Sequence, residues 1–105
     1  MTLAQFAAVL QTTKLPVVYL SFGENDCPEM PFVTYFETAT DNFAADGKVY
    51  HIIKQVQVDL WTAKKDTTTE ALLESAFDTA GIYWNKEMDF DEDEQCMRAT
   101  YSLEF

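Results

Sequence analysis

A chain of 105 residues and 12.0 kDa fits one domain around one core, large enough to bury about two thirds of its unfolded surface. Its 48% hydrophobic and 14% aromatic content excludes a disordered chain. The 18 acids against 7 bases, a formal charge of -11, make a field that repels phosphate backbones and argues against a conventional DNA or RNA binder.

In chain order, the first element is a short helix. Thr2 and Gln5 stand at capping-box spacing, and Leu3, Phe6, Ala7 and Leu10 recur at i, i+3, i+4 and i+7. The stretch from Lys14 to Pro16 ends it. Residues 17–22 read as a strand, and GENDCPEMP, with Gly23, Pro28 and Pro31, reads as a loop that cannot sit in a central ladder. Residues 32–40 form a second strand with bulk on both faces, Phe32, Thr34, Phe36 and Thr38 against Val33, Tyr35, Glu37 and Ala39. That two-sidedness suggests a partner surface, with Phe36 a candidate contact.

DNFAADGK, residues 41–48, reads as a polar loop whose Asp46-Gly47 pair is hairpin-turn chemistry, although Asp41 and Asp46 could instead hold a cation. Phe43 is the odd residue there, and exposed loop aromatics often dock into a neighbour. Asp41, Asn42, Phe43 and Asp46 are therefore subunit-contact candidates, in a loop expected to order only in an assembly. A third strand follows over residues 48–61, with Val56, Val58 and Leu60 interleaved with Gln55, Gln57 and Asp59. Its alternation slips at Ile52 and Ile53, which predicts a bulge near Lys54.

Asp66 or Thr67 caps the second helix, with Glu70 three after Thr67. Its apolar stripe is Leu72, Leu73, Ala76, Phe77 and Ala80, and Gly81 stands at the C-cap position. Residues 82–88 and 96–105 are two strands that pair as a hairpin, the second alternating Met97, Ala99, Tyr101, Leu103 and Phe105 against Arg98, Thr100, Ser102 and Glu104. The order αβββαββ is an α+β architecture, a mainly antiparallel sheet of about five strands with two helices on one face. Leu72, Phe77, Val56, Val58, Leu60 and Tyr101 should be buried together.

The connection of that hairpin is acidic: Glu87, Asp89, Asp91, Glu92, Asp93 and Glu94. An EF-hand calcium loop would need a Gly at its sixth position and flanking helices, and the run has neither. It reads as a solvated, self-repelling tip. Cys27 and Cys96 lack the CxxC spacing of zinc or redox sites and read as two half-buried thiols in a reducing compartment. The lone His51 lies on a strand, and Gly23, Gly47 and Gly81 are each explained by turn or cap geometry, so no catalytic constellation, phosphate cradle, metal or cofactor is expected. The N-terminus lacks the basic n-region and long apolar stretch of a secretory signal. With no run near the roughly 18 apolar residues that cross a bilayer, the chain reads as cytosolic.

The segment DNFAADGKVYHIIKQVQVDLWTAKKD, residues 41–66, resembles the tail-completion proteins of long-tailed bacteriophages and prophages, the tail terminator or tail-to-head joining group. In that group an Asp-Asn-Phe loop precedes a Lys-Val-Tyr strand and a Leu-(Trp/Tyr)-Thr-x-Lys-Lys-Asp close, and the likeness in element order extends over residues 32–105. It implies a structural, non-enzymatic virion protein that assembles as a ring, typically a hexamer. Such a ring caps the tail tube and contacts the tail-tube and head-completion proteins, having been made in the bacterial host cytoplasm. Asp89, Asp91, Glu92, Asp93 and Glu94 would then suit a channel wall that repels the passing genome. The charge also fits an acidic DNA mimic that inhibits a nucleic-acid enzyme, though a mimic should spread its carboxylates over an extended face. An acid-dependent enzyme or metal protein lacks its constellation.

Overall fold

The computed structural model describes residues 1–20, 29–45, 48–93 and 95–105, with the backbone alone for the described part of 41–52. Among the described residues two helices and five strands follow the order α1 (Leu3–Gln11), β1 (Val17–Tyr19), β2 (Phe32–Ala45), β3 (Lys48–Thr62), α2 (Thr67–Thr79), β4 (Trp84–Asp91), β5 (Cys96–Glu104). The strands form one sheet in the order β1-β2-β3-β5-β4, antiparallel except for the β1–β2 pair. The class is α+β, and no helix among the described residues is long and apolar enough to cross a membrane.

α1 starts where its sequence says. Thr2 Oγ1 accepts from the Gln5 amide at 3.1 Å, and Gln5 Oε1 accepts from the Thr2 amide at 2.8 Å, so two donors that the first turn leaves orphaned are satisfied reciprocally. Past Thr12 the Lys14 backbone turns to φ 62, which no helix continues. α2 is capped by Asp66, not by Thr67. The Asp66 carboxylate accepts from the Thr69 amide at 3.0 Å and hydroxyl at 2.7 Å, which holds its carboxyl below the usual carboxylate range. Its far end is a Schellman motif: the Gly81 amide bonds Asp78 O at 3.0 Å and the Ile82 amide bonds Phe77 O at 2.9 Å. Gly81 supplies the φ of 72 that this geometry needs, and Ile82 drops straight into the core.

Opposed residues of paired strands share a face. Val33, Leu60 and Ala99 therefore line up on one face, as do Tyr35, Val58 and Tyr101, and then Val56 and Leu103. Against them pack Phe6 and Leu10 of α1 and Leu73 and Phe77 of α2, all fully buried. Phe6 stacks 4.9 Å from Phe105 and 6.1 Å from Phe77, and Tyr101 meets Phe77 and Trp84 edge-on at 5.5 and 5.6 Å. The expected core is present except for Leu72, which is 46% exposed. Its place in the stripe goes to Glu70: the buried face of α2 is Glu70, Leu73 and Phe77, and Leu72 lies outside that phase.

The strands differ from the sequence reading in several places, among them β4, which starts at Trp84 and runs to Asp91 where the sequence predicts residues 82–88. β1 stops at Tyr19, because Leu20 turns to φ 71. Residues 41–45 are not loop but strand, each paired with a residue of β3, from Asp41 opposite Ile53 to Ala45 opposite Lys48. Their polar composition is overridden by a partner strand that runs equally far. The bulge expected near Lys54 sits one step away and on the other strand. Thr38 of β2 is the extra residue beside the Val56–Gln55 pairings, Lys54 pairs regularly with Thr40, and a second irregularity leaves Tyr50 of β3 unmatched between His51 and Val49.

Candidate assembly site

β5 accompanies β3 only as far as the Lys54–Phe105 pair, whose two backbone bonds are 2.7 and 3.0 Å, and β1 accompanies β2 only to Tyr35. Beyond those points β2 and β3 continue as a two-stranded arm, residues 40–45 against 48–54, with no further strand beside either among the described residues. Six residues of strand reach about 20 Å, and the molecule is drawn out to 51 Å along one axis against 28 and 22 Å along the others. Asp41, Asn42 and Phe43 lie on this arm, opposite Ile53, Ile52 and His51, while Asp46 falls outside the described residues. Phe36 is not on it. It pairs with Gln57 at the root of the arm and is half-buried.

The sheet face away from the helices carries a network of polar side-chain bonds beside the stacked Phe32 and Trp61 rings. Thr100 Oγ1 donates to Asp59 Oδ1 at 2.8 Å, Gln57 Nε2 reaches both Asp59 oxygens at 3.1 and 3.2 Å, and Trp61 Nε1 donates to Thr34 Oγ1 at 3.2 Å. Arg98 lies 5.4 Å over the Trp61 ring and pairs with Asp89 at 2.6 Å, so Asp89, expected as a bare surface charge, has a counter-ion. Glu87, Asp89 and Asp91 belong to β4 and not to the connection, opposite Thr100, Arg98 and Cys96. The tip proper is residues 92–95. There the Asp93 amide donates to Asp91 Oδ1 at 3.1 Å, Gln95 Nε2 donates to Glu92 O at 2.6 Å, and Gln95 takes φ 53 to close the turn. Glu94 and Cys27 lie outside the described residues, and Cys96 is buried at the start of β5.

At the polar end of this face a shallow concavity of about 430 Å³ is lined by Gln55, Gln57, Tyr83, Asn85, Ser102 and Glu104 among others. No group of three metal-ligating side chains occurs among the described residues.

The sequence reading missed one ionic cluster altogether. Glu70 Oε1 accepts from Lys65 and Lys86, both at 2.9 Å. Lys86 also bonds Glu74 Oε2 at 2.8 Å, and that same oxygen accepts the Tyr101 hydroxyl at 2.7 Å. Burial raises the Glu70 pKa, but the two lysines outweigh it and the carboxyl ends below its ordinary value. The Glu74 hydrogen bond lifts Lys86 above its ordinary value. Burial, aided by Glu74, pushes the Tyr101 hydroxyl far above its ordinary value. Glu70 Oε2 is buried and has no hydrogen-bond partner among the described residues, so the site depends on the lysines to keep its charge tolerable. The signal was present in the sequence as Glu70 and Glu74, four apart and in phase with Leu73 and Phe77. The arrangement clamps β4, the edge strand, to α2.

No protein-family model matches the chain, and no curated protein matches it.

Proposed function

We propose that this chain is a structural subunit of a long-tailed bacteriophage or prophage particle, a tail terminator or tail-to-head joining protein that forms a hexameric ring on the tail tube and connects it to the head. The observation that supports this reading is the arm. A two-stranded ribbon is marginal in water without a third strand or a packed face, yet this chain extends one well past its sheet. A neighbouring subunit that receives it would supply the missing cover, and head-to-tail receipt around a closed rotation generates a ring. The resemblance of residues 41–66 to tail-completion proteins falls on the arm and on the strand that carries it into the body.

In such a ring Glu87, Asp89 and Asp91 of β4, with Glu92 and Asp93 at the tip, form the acidic surface suited to a DNA passage, since like charge keeps the genome from adhering, and Glu94 adds to its charge in sequence. The partners are then copies of the chain itself, the tail-tube protein and a head-completion protein. Native mass spectrometry over a concentration series, with negative-stain images of the largest species, tests the reading. A closed ring that binds the end of purified tail tubes is the expected result. A chain that stays monomeric and ignores tube ends would overturn it, and inhibition of a DNA-processing enzyme by that monomer would favour the acidic mimic instead.

A further inference from the structure

Two parts of this strongly acidic chain are low in net charge, and one protrudes where the other is concave. The protruding one is the arm, and the sequence over 40–54 sets Asp41 and Asp46 against Lys48 and Lys54. The concave one is a groove of about 460 Å³ on the outside of the helix layer, between α1 and α2, walled by Val9, Thr12, Leu72, Ser75, Ala76 and Thr79 among others. No charged side chain lines it. Residues 1–13 contain none, and the acids of α2 are engaged elsewhere, Glu70 and Glu74 by Lys86 and Asp78 by the Trp84 indole at 2.9 Å. Leu72 stands at its wall with nearly half its surface in solvent.

Two copies of a chain with a formal charge of -11 repel each other wherever their exposed acids come within a Debye length, roughly 8 to 10 Å at ordinary salt. Close contact is least opposed where both approaching surfaces are neutral. Groove against groove would close as a dimer and would leave both arms uncovered. Arm against groove has neither fault. The arm's sequence carries Phe43, Val49, Ile52 and Ile53, and a two-stranded ribbon is marginal in water without a third strand or a packed face. The groove offers apolar walls with a hydroxyl rim of Thr12, Ser75 and Thr79. The geometry points to the interhelical groove as the seat for the arm of a second copy of this chain, an inference that rests on the ring reading above and names the two surfaces of its contact. The contact is heterologous, so each subunit gives an arm and receives one.

The test uses the full chain in analytical ultracentrifugation. Leu72→Glu and Ser75→Arg, both at exposed positions, should leave the melting temperature within a few degrees of wild type and weaken association roughly 30-fold or more, the loss expected of an interface hot spot. Phe43→Glu should do the same from the arm side. An equimolar mixture of Leu72→Glu and Phe43→Glu retains one good arm and one good groove, and should form a 1:1 dimer that grows no further. If Leu72→Glu and Ser75→Arg assemble like wild type, the groove assignment falls while the ring stands. Dimers of Phe43→Glu alone would overturn it in favour of groove against groove. A wild-type chain that never associates removes the ring and the groove contact together.

Discussion

β2 and β3 run through two environments, and the contrast shows what holds this protein together. In the body, β3 from Gln55 to Thr62 is flanked by β2 and β5 and covered by both helices, and its inward residues Val56, Val58 and Leu60 are at most 2% exposed. In the arm the same two strands have only each other. The β2–β3 ladder runs on into the arm, but β3 is hydrogen-bonded on both sides in the body and on one side in the arm. Most of the net stability comes from apolar surface removed from water, which the body's inward residues supply.

The comparison breaks most visibly at the body's centre. Phe77→Ala should destabilise the chain by about 3 to 5 kcal/mol, because the ring is fully buried between Phe6 and Tyr101, whereas Leu72→Ala should change stability by less than about 1 kcal/mol. Urea denaturation of both variants checks this, and equal effects would contradict the phase of α2 described above.

Lys86→Met removes the cation shared by Glu70 and Glu74 and should cost about 2 to 3 kcal/mol at neutral pH. The pH profile has a definite sign. Glu70 sits below its ordinary 4.5, so its contribution is present above that pH and is lost as acid protonates it at still lower pH. Lys86 and Tyr101 sit above their ordinary 10.5 and 10.0, so their contributions are present below those values and fade as pH rises through the raised ones. Urea midpoints taken from pH 2 to 11 should therefore fall at both ends, with the acid limb flattened in Lys86→Met.

A finer probe is amide hydrogen exchange on dilute protein. The amides of Asn42, Phe43 and Ile53 should exchange at least tenfold faster than those of Val58 and Leu60, and the difference should shrink on assembly. Uniform protection in the monomer would mean that the arm is as well backed as the body. The smallest effect belongs to the acidic tip. Neutralising Glu92, Asp93 and Glu94 to Asn or Gln should shift stability by no more than about 0.5 kcal/mol, since like charges adjacent in sequence contribute little or negative stability. In particles built with that variant, a fall in titre with normal particle counts supports a channel role. A full wild-type titre would remove that role from the segment.

What the sequence determined on its own were the features written within a few residues of each other. The capping box at Thr2 and Gln5, the stop at Gly81 and the alternation of Ala99, Tyr101 and Leu103 depend on local geometry, and from them the α+β class and the β4–β5 hairpin followed. What only the tertiary structure decided were features that need a distant neighbour. Residues 41–45 carry a loop's composition, yet they are strand because β3 continues beside them. Leu72 and Glu70 are equally plausible members of a helical stripe until Lys65 and Lys86 arrive from outside the helix and make the carboxylate the buried choice. Asp89 is a surface charge until pairing with β5 places Arg98 opposite it. In each case the deciding energy is a pairing between residues remote in sequence or on different elements, and periodicity along one segment does not encode it.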